Sequence, residues 1–85
     1  MRKSVLSGIC EINLHGMKAE TAKRAVEHAV LKADGSVYRI RVIHGFHGGT
    51  VLRDLVRKHY VSHPKVKRIE IGMNQGETEL VLREL

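Results

Sequence analysis

One stretch in the middle of the chain limits its fold more than any other. An apolar strand pattern ends at Ile43, and residues 44–49 then form a loop with two histidines and three glycines. A helical pattern begins near Thr50, with Arg53 in its first turn. Glycine allows another molecule to approach the backbone, and a helix start presents unpaired N–H groups with a partial positive charge. The order strand, glycine loop, helix therefore predicts an anion-binding site, for which phosphate is the obvious biological ligand.

Alternation of apolar and polar residues predicts strands on both sides of this stretch. The segments 9–14 and 37–43 alternate, and residues 66–73 and 78–85 form two more strands around a turn-rich connection. Every second residue of each strand is apolar and is predicted to be buried, namely Ile12, Leu14, Ile40, Val42, Ile69, Ile71, Leu80 and Leu82. The positions on the other side of the strands are mostly charged and comprise Glu11, Asn13, Arg39, Arg41, Arg68, Glu70, Glu79 and Arg83.

Two segments have helical spacing. Between Lys18 and Ala33 small apolar residues recur every three or four positions, and a second helix runs from about Thr50 to Ser62. The order βαβαββ implies parallel pairing through right-handed crossovers, and the closing hairpin adds an antiparallel strand. We therefore predict an α/β two-layer sandwich. Its four-stranded mixed sheet has two helices on one face and a charged, open second face.

Composition limits the class of partner. The 85 residues suffice for one domain, which we place at 9–85, and residues 1–8 read as a flexible basic arm. No apolar run could span a membrane, and the lone Cys10 agrees with a cytoplasmic location. A net charge of +6 favours nucleic acid as the partner. With three aromatic residues, contacts to phosphates are expected rather than base stacking.

Two His-Gly pairs, His15-Gly16 and His44-Gly45, end strands that we expect to be adjacent and parallel. Ligands of open α/β sheets favour that edge, and histidine can exchange protons or bind phosphate near neutral pH. The side chain of Asn13 lies on the same side of the strand as that of His15 and could orient the imidazole, although it carries no charge. The catalytic candidates are therefore His15, His44 and Asn13. The phosphate-binding candidates around the two turns are Gly16, Lys18, Gly45, Phe46, His47, Gly48, Gly49 and Arg53.

Other readings of these residues are weaker. The glycine loop is not a Walker A motif, because no Lys-Ser or Lys-Thr follows its last glycine. It is not a dinucleotide-binding fingerprint either, because its glycines have the wrong spacing. His59 and His63 have the spacing of a metal pair, but no third ligand lies nearby in the sequence. We therefore expect no metal and no cofactor.

The segments Ile12-Asn13-Leu14-His15-Gly16 and Val42-Ile43-His44-Gly45, with the alanine-faced helix between them, resemble the Smr (small MutS-related) domain. The resemblance covers about residues 9–85 and includes Leu52-Arg53, so the chain would be a stand-alone member. It implies a βαβαββ sandwich like the C-terminal domain of bacterial translation initiation factor three. It also implies nucleic-acid binding, since several members are endonucleases that nick DNA or cut messenger RNA on stalled ribosomes.

Two departures from the family pattern affect the expected activity. Members that cut nucleic acid usually have aspartate where this chain has Asn13. The loop of the family usually reads His-Gly-x-Gly-x-Gly, whereas here His47 and the doublet Gly48-Gly49 change that spacing. We therefore expect a domain that binds RNA or DNA, with cutting weakened by Asn13. The alternatives are a metal-independent endonuclease using His15 and His44, and a protein-interaction domain that uses the open charged face. The choice between RNA and DNA, a ribosomal role and the oligomeric state stay open.

Overall fold

A computed structural model describes residues 2–6, 8–45, 50–72 and 74–84, with only the backbone described for residues 2–6. In chain order the elements are β1 (Arg2–Leu6), β2 (Ile9–Asn13), α1 (Ala19–Lys32), β3 (Arg39–Ile43), α2 (Val51–Tyr60), β4 (Arg68–Ile71) and β5 (Glu77–Val81). The described strands form one sheet in the order β1-β2-β3-β5-β4. Strands β2 and β3 are parallel, while β5 lies between β3 and β4 and is antiparallel to both. The predicted α/β fold with a mixed sheet and two helices is confirmed.

One strand was not predicted. Arg2–Leu6, which lies within the segment expected to be a flexible arm, pairs antiparallel with β2 and adds a fifth, edge strand to the four predicted ones. Backbone pairing uses N–H and C=O groups that every residue except proline carries, so it can form where the sequence, as in residues 2–6, shows no apolar alternation. The turn into β2 needs glycine. Gly8 has φ 85°, and a Cβ there would lie 2.8 Å from Cδ1 of Tyr38.

The hydrophobic core lies between the sheet and the helices. Helix α1 contributes small side chains, which allow it to lie close to the sheet, and α2 contributes Val56 and Tyr60. The prediction was wrong for Ile71, which is 70% exposed, because β4 is an edge strand that the two helices do not cover. Ile69 and Leu82 pack against the core but are only partly buried. Neither α1 nor α2, the helices described, is long and apolar enough to cross a membrane.

The sheet face away from the helices carries a ladder of ion pairs. Arg39 pairs with Glu70 at 2.8 Å and also contacts Glu79. Arg41 pairs with Glu79 at 3.0 Å and with Glu11 at 3.4 Å. These carboxylates occupy both arginines, so the open face contributes little free positive charge. The cations available to a polyanion must therefore lie elsewhere.

A polar contact joins the two helices. The hydroxyl of Tyr60 donates to Oε1 of Glu27 at 2.8 Å, and Nε2 of His63 lies 3.5 Å from Oε2 of the same carboxylate. The Tyr60 hydrogen bond, followed by the one with His63, holds the pKa of Glu27 below its ordinary value. Nε2 of His59 lies 3.9 Å from the same carboxylate. Within the described ranges, no group of three or more His, Cys, Asp or Glu is arranged to hold a metal ion.

We expect Tyr60→Phe to lower the free energy of unfolding by about 1 kcal/mol at neutral pH and by less in acid. Because the folded-state pKa of Glu27 is depressed, its stabilising effect is complete above the ordinary value of 4.5 and disappears as the pH falls through the folded value. Urea denaturation from neutral to strongly acidic pH measures this difference. Tyr38→Phe is the matched control, because the Tyr38 hydroxyl has no hydrogen-bond partner among the described residues. A Tyr60→Phe effect that does not change with pH would contradict the prediction.

Candidate nucleic-acid interface

The two His-Gly turns lie side by side at one edge of the sheet. The N–H of Leu14 donates to the carbonyl of Ile43 at 2.7 Å, which continues the pairing of β2 with β3 to the ends of both strands. The ring of His15 then packs directly on Gly45, since a Cβ built there would be 2.9 Å from Cδ2 of His15. Parallel pairing thus brings together the motifs that the sequence separates by almost 30 residues.

Both glycines have left-handed backbone conformations but differ in their surroundings. Gly16 has φ 83° and Gly45 has φ 74°. A Cβ at Gly16 would meet no atom within 4 Å, whereas one at Gly45 would collide with His15. Gly16 is therefore required for the turn alone. Gly45 is required for the turn and also for the close approach of the imidazole.

Asn13 holds the backbone of the first turn. Its Oδ1 accepts a hydrogen bond from the N–H of His15 at 2.9 Å, which is an Asx turn. Asn13 therefore holds the backbone that carries the imidazole, and its orientation of the ring itself stays a prediction. His15 itself is exposed, and its ring nitrogens have no hydrogen-bond partner among the described residues. Its imidazole is available to a ligand.

His44 has the opposite environment. It is only 4% exposed, its Nδ1 lies 2.8 Å from the carbonyl of Gly45, and its Nε2 lies 2.8 Å from Oγ1 of Thr78. A carbonyl can only accept, so Nδ1 carries the proton and Nε2 accepts from the threonine hydroxyl. Burial is the main cause that lowers the pKa of His44, the Gly45 hydrogen bond opposes it, and the charges of Arg57 and Arg53 lower it further. Both nitrogens of this neutral ring are occupied, so the two histidines are not equivalent.

Arg57 is a member of the site that the sequence did not reveal. Its Nε donates to Oγ1 of Thr78 at 2.9 Å, so this hydroxyl accepts from Arg57 and donates to His44. The available signal was its position one helical turn after Arg53. The second turn is also held from the β4–β5 connection, because the N–H groups of His44 and Gly45 donate to the carbonyl of Gly76 at 2.9 and 3.0 Å.

The remaining predicted residues lie at the helix starts or outside the described chain. Lys18 is the N-cap of α1 and makes no capping hydrogen bond. Thr50 is the N-cap of α2, as predicted, but its hydroxyl donates to Oδ2 of Asp54 at 3.0 Å. Arg53 pairs with Oδ1 of Asp54 at 3.1 Å, which partly neutralises it. Four predicted loop residues lie outside the residues that the structure describes: Phe46, His47, Gly48 and Gly49.

A mixed sheet with two helices on one face and paired His-Gly turns at one edge defines a small α/β domain of the Smr type. The family model of the Smr domain matches residues 12–79, and the chain belongs to this family. Smr domains generally bind nucleic acids, and the family is known for endonuclease activity. The fold is similar to the crystal structure of the Smr domain of Thermus thermophilus MutS2, with a TM-score of 0.78 and 24% identity, covering 87% of this chain and 98% of that one. Among curated proteins the chain has no match.

Proposed function

We propose that this Smr domain binds RNA or DNA through the phosphate backbone, at the edge formed by the two His-Gly turns, and that Asn13 leaves it with weak cutting activity. The observation that carries the proposal is the difference between the two histidines. His15 is exposed beside Gly45 with a free imidazole, whereas both nitrogens of His44 are bonded within the protein. An acid–base pair of histidines is thus not preformed, while a single imidazole is free to donate a hydrogen bond to phosphate.

The distribution of charge supports the same proposal. The arginines of the open sheet face pair with carboxylates, so the surplus positive charge of the side chains that the structure describes lies mainly on the helices and the segments next to them. Cations there that are exposed and have no carboxylate partner in the described chain are Lys18, Lys23, Arg24, Lys32, Lys58, Lys65 and Lys67. Such a surface attracts phosphates, and affinity that comes from phosphate contacts falls steeply as salt is raised.

Equilibrium binding to labelled single-stranded RNA and DNA over a range of salt concentrations tests the proposal. We expect the logarithm of the association constant to fall linearly with the logarithm of the salt concentration. His15→Ala should weaken binding about tenfold, the loss expected for one charge-assisted hydrogen bond. His28→Ala is the matched control, because His28 is an exposed histidine on α1 away from the turns. Binding that is insensitive to salt, or an equal loss in both variants, would count against the proposal.

The metal-independent endonuclease is the second candidate, and the free imidazole of His15 favours it. In RNA, an exposed histidine could exchange a proton with the 2′-hydroxyl or the leaving oxygen while cations hold the phosphate. His44 would then position the turn through Gly45 and would not itself exchange protons. Hairpin and ribosomal RNA, added as further substrates, test the ribosomal role that the family resemblance implies.

A further inference from the structure

We propose that Arg57 binds a nucleic-acid phosphate at this site and that Thr78 holds its guanidinium in position for this contact. The inference rests on the proposed nucleic-acid-binding function and names a residue that neither the His-Gly motifs nor the glycine loop contains. Arg57 lies on α2, and Thr78 belongs to β5, the strand that pairs with β3. Helix and sheet thus fix this side chain from two sides.

The hydrogen bond to Thr78 uses one donor of Arg57 and leaves the others free. Nε donates to Oγ1 of Thr78 at 2.9 Å, which restricts the plane of the guanidinium. The two terminal NH2 groups make no hydrogen bond and no ion pair with any residue that the structure describes. A planar guanidinium presents its donors as a fork that matches two oxygens of one phosphate. An arginine held by Nε with its terminal groups free is therefore prepared for an anion.

Partial burial without a carboxylate distinguishes Arg57 from the other arginines described with side chains. Four of them pair with a carboxylate, namely Arg39, Arg41, Arg53 and Arg68. Arg83 donates to the backbone carbonyl of Asp34, and Arg24 is exposed on α1. Arg57 is partly buried, and a cation that gives up part of its hydration without an ionic partner costs stability. A bound phosphate would provide that partner.

The carboxylates nearest to Arg57 along the chain and the sheet do not form an ion pair with it in the described structure. Asp54, one turn earlier on α2, accepts from Thr50 and pairs with Arg53. Glu77, which precedes Thr78, accepts from Nδ2 of Asn74 at 3.4 Å through Oε2, while its Oε1 is buried and has no hydrogen-bond partner among the described residues. The charge of Arg57 contributes to the lowered pKa of Asp54, after larger effects from Thr50 and Arg53, but no carboxylate of the described residues contacts the terminal groups of the guanidinium.

A chain of contacts connects Arg57 with the exposed imidazole. Thr78 links Arg57 to His44, the ring of His44 holds the carbonyl of Gly45, and Gly45 lies against His15. Arg57 and His15 therefore belong to one structural unit at the edge of the sheet. The charge of Arg57 also contributes to the lowered pKa of His44, which keeps that ring in the neutral form the hydrogen bonds require.

Salt-dependent binding of labelled single-stranded RNA and DNA by Arg57→Gln tests the inference. Removal of one phosphate contact should weaken binding about three- to tenfold and make the salt slope shallower by about 0.7 to 0.9. Arg68→Gln removes the same charge from the open sheet face and is the matched control, for which we expect an unchanged slope. Arg57→Lys keeps the positive charge but loses the planar guanidinium that can donate two hydrogen bonds to one phosphate. It should weaken binding with little change of slope, and it serves as the second variant if Arg57→Gln is unstable.

The possible outcomes separate the two proposals. If His15→Ala weakens binding but Arg57→Gln changes neither affinity nor slope, the inference is wrong and the proposed function stands. Equal losses in Arg57→Gln and Arg68→Gln would overturn the inference, because the effect would then reflect net charge alone. Binding by the unmodified protein that does not respond to salt would overturn both. A purely structural role for Arg57 would lower the melting temperature and leave the slope unchanged, which is also a negative result.

Discussion

Asn13→Asp should raise phosphodiester cleavage about 100-fold or more over the unmodified chain, which is the lower range for a positioned acid–base group. Aspartate keeps the Asx turn, because a carboxylate oxygen can accept the His15 N–H that Asn13 accepts at 2.9 Å. It also adds a negative charge to the turn that carries the imidazole, and a nearby carboxylate favours the protonated form of a histidine. Single-turnover cleavage of labelled RNA and DNA, with a chelator present, measures the gain.

The double variant Asn13→Asp/His15→Ala is the control for this gain. Loss of His15 should return cleavage to background, because the added carboxylate would then have no imidazole to stabilise. Cutting that survives in the double variant identifies a contaminating nuclease. If Asn13→Asp cuts no faster than the unmodified chain, while both bind nucleic acid equally well, the missing acid is not what limits this domain.

Gly45→Ala should lower the free energy of unfolding by about 1–3 kcal/mol, the range for a residue held in an unfavourable backbone region. In a domain of this size each kcal/mol corresponds to roughly 4–8 °C in melting temperature. The strain arises because Gly45 has φ 74°, and the new Cβ would also lie 2.9 Å from Cδ2 of His15. The exposed imidazole must move away, so we expect binding of nucleic acid to weaken together with the loss of stability.

Gly16→Ala separates the two effects of this substitution. Gly16 has φ 83°, so alanine causes a similar backbone strain, but no atom lies within 4 Å of the added Cβ. Thermal denaturation should show comparable losses for the two variants. NMR resonances of the His15 side chain should change more in Gly45→Ala than in Gly16→Ala. Equal changes would mean that contact with Gly45 does not position the imidazole.

Particular residues show how far sequence patterns can predict this molecule. The alternation in β2 and β3 correctly placed Ile12, Leu14, Ile40 and Val42 in the core, because these strands lie under the helices. The same rule was wrong for Ile71 on β4, since alternation records the side of a strand but not what covers it. The pairing of β1 could not be predicted from the sequence, because it uses backbone groups common to all residues except proline and residues 2–6 show no apolar alternation.

The candidate site was predictable in its motifs but not in its hydrogen bonds. Two His-Gly pairs at the ends of parallel strands indicated a shared edge, and the packing of His15 on Gly45 agrees with that prediction. The hydrogen-bond partners of individual side chains could not be predicted from the sequence. Thr78 lies 34 positions from His44 and 21 from Arg57, and residues so distant meet only after the sheet has formed.

By itself, the sequence determined the α/β class, the order of the two helices and of strands β2 to β5, and the two His-Gly turns, because each follows from local periodicity and backbone preference. The tertiary structure decided which histidine is free. Burial beside Thr78 and Gly45 occupies both nitrogens of His44 and lowers its pKa, while the same turn leaves His15 exposed. The two histidines have the same neighbour in sequence, a glycine. Their different chemistry arises from desolvation and hydrogen bonding, which depend on residues that only the folded chain brings together.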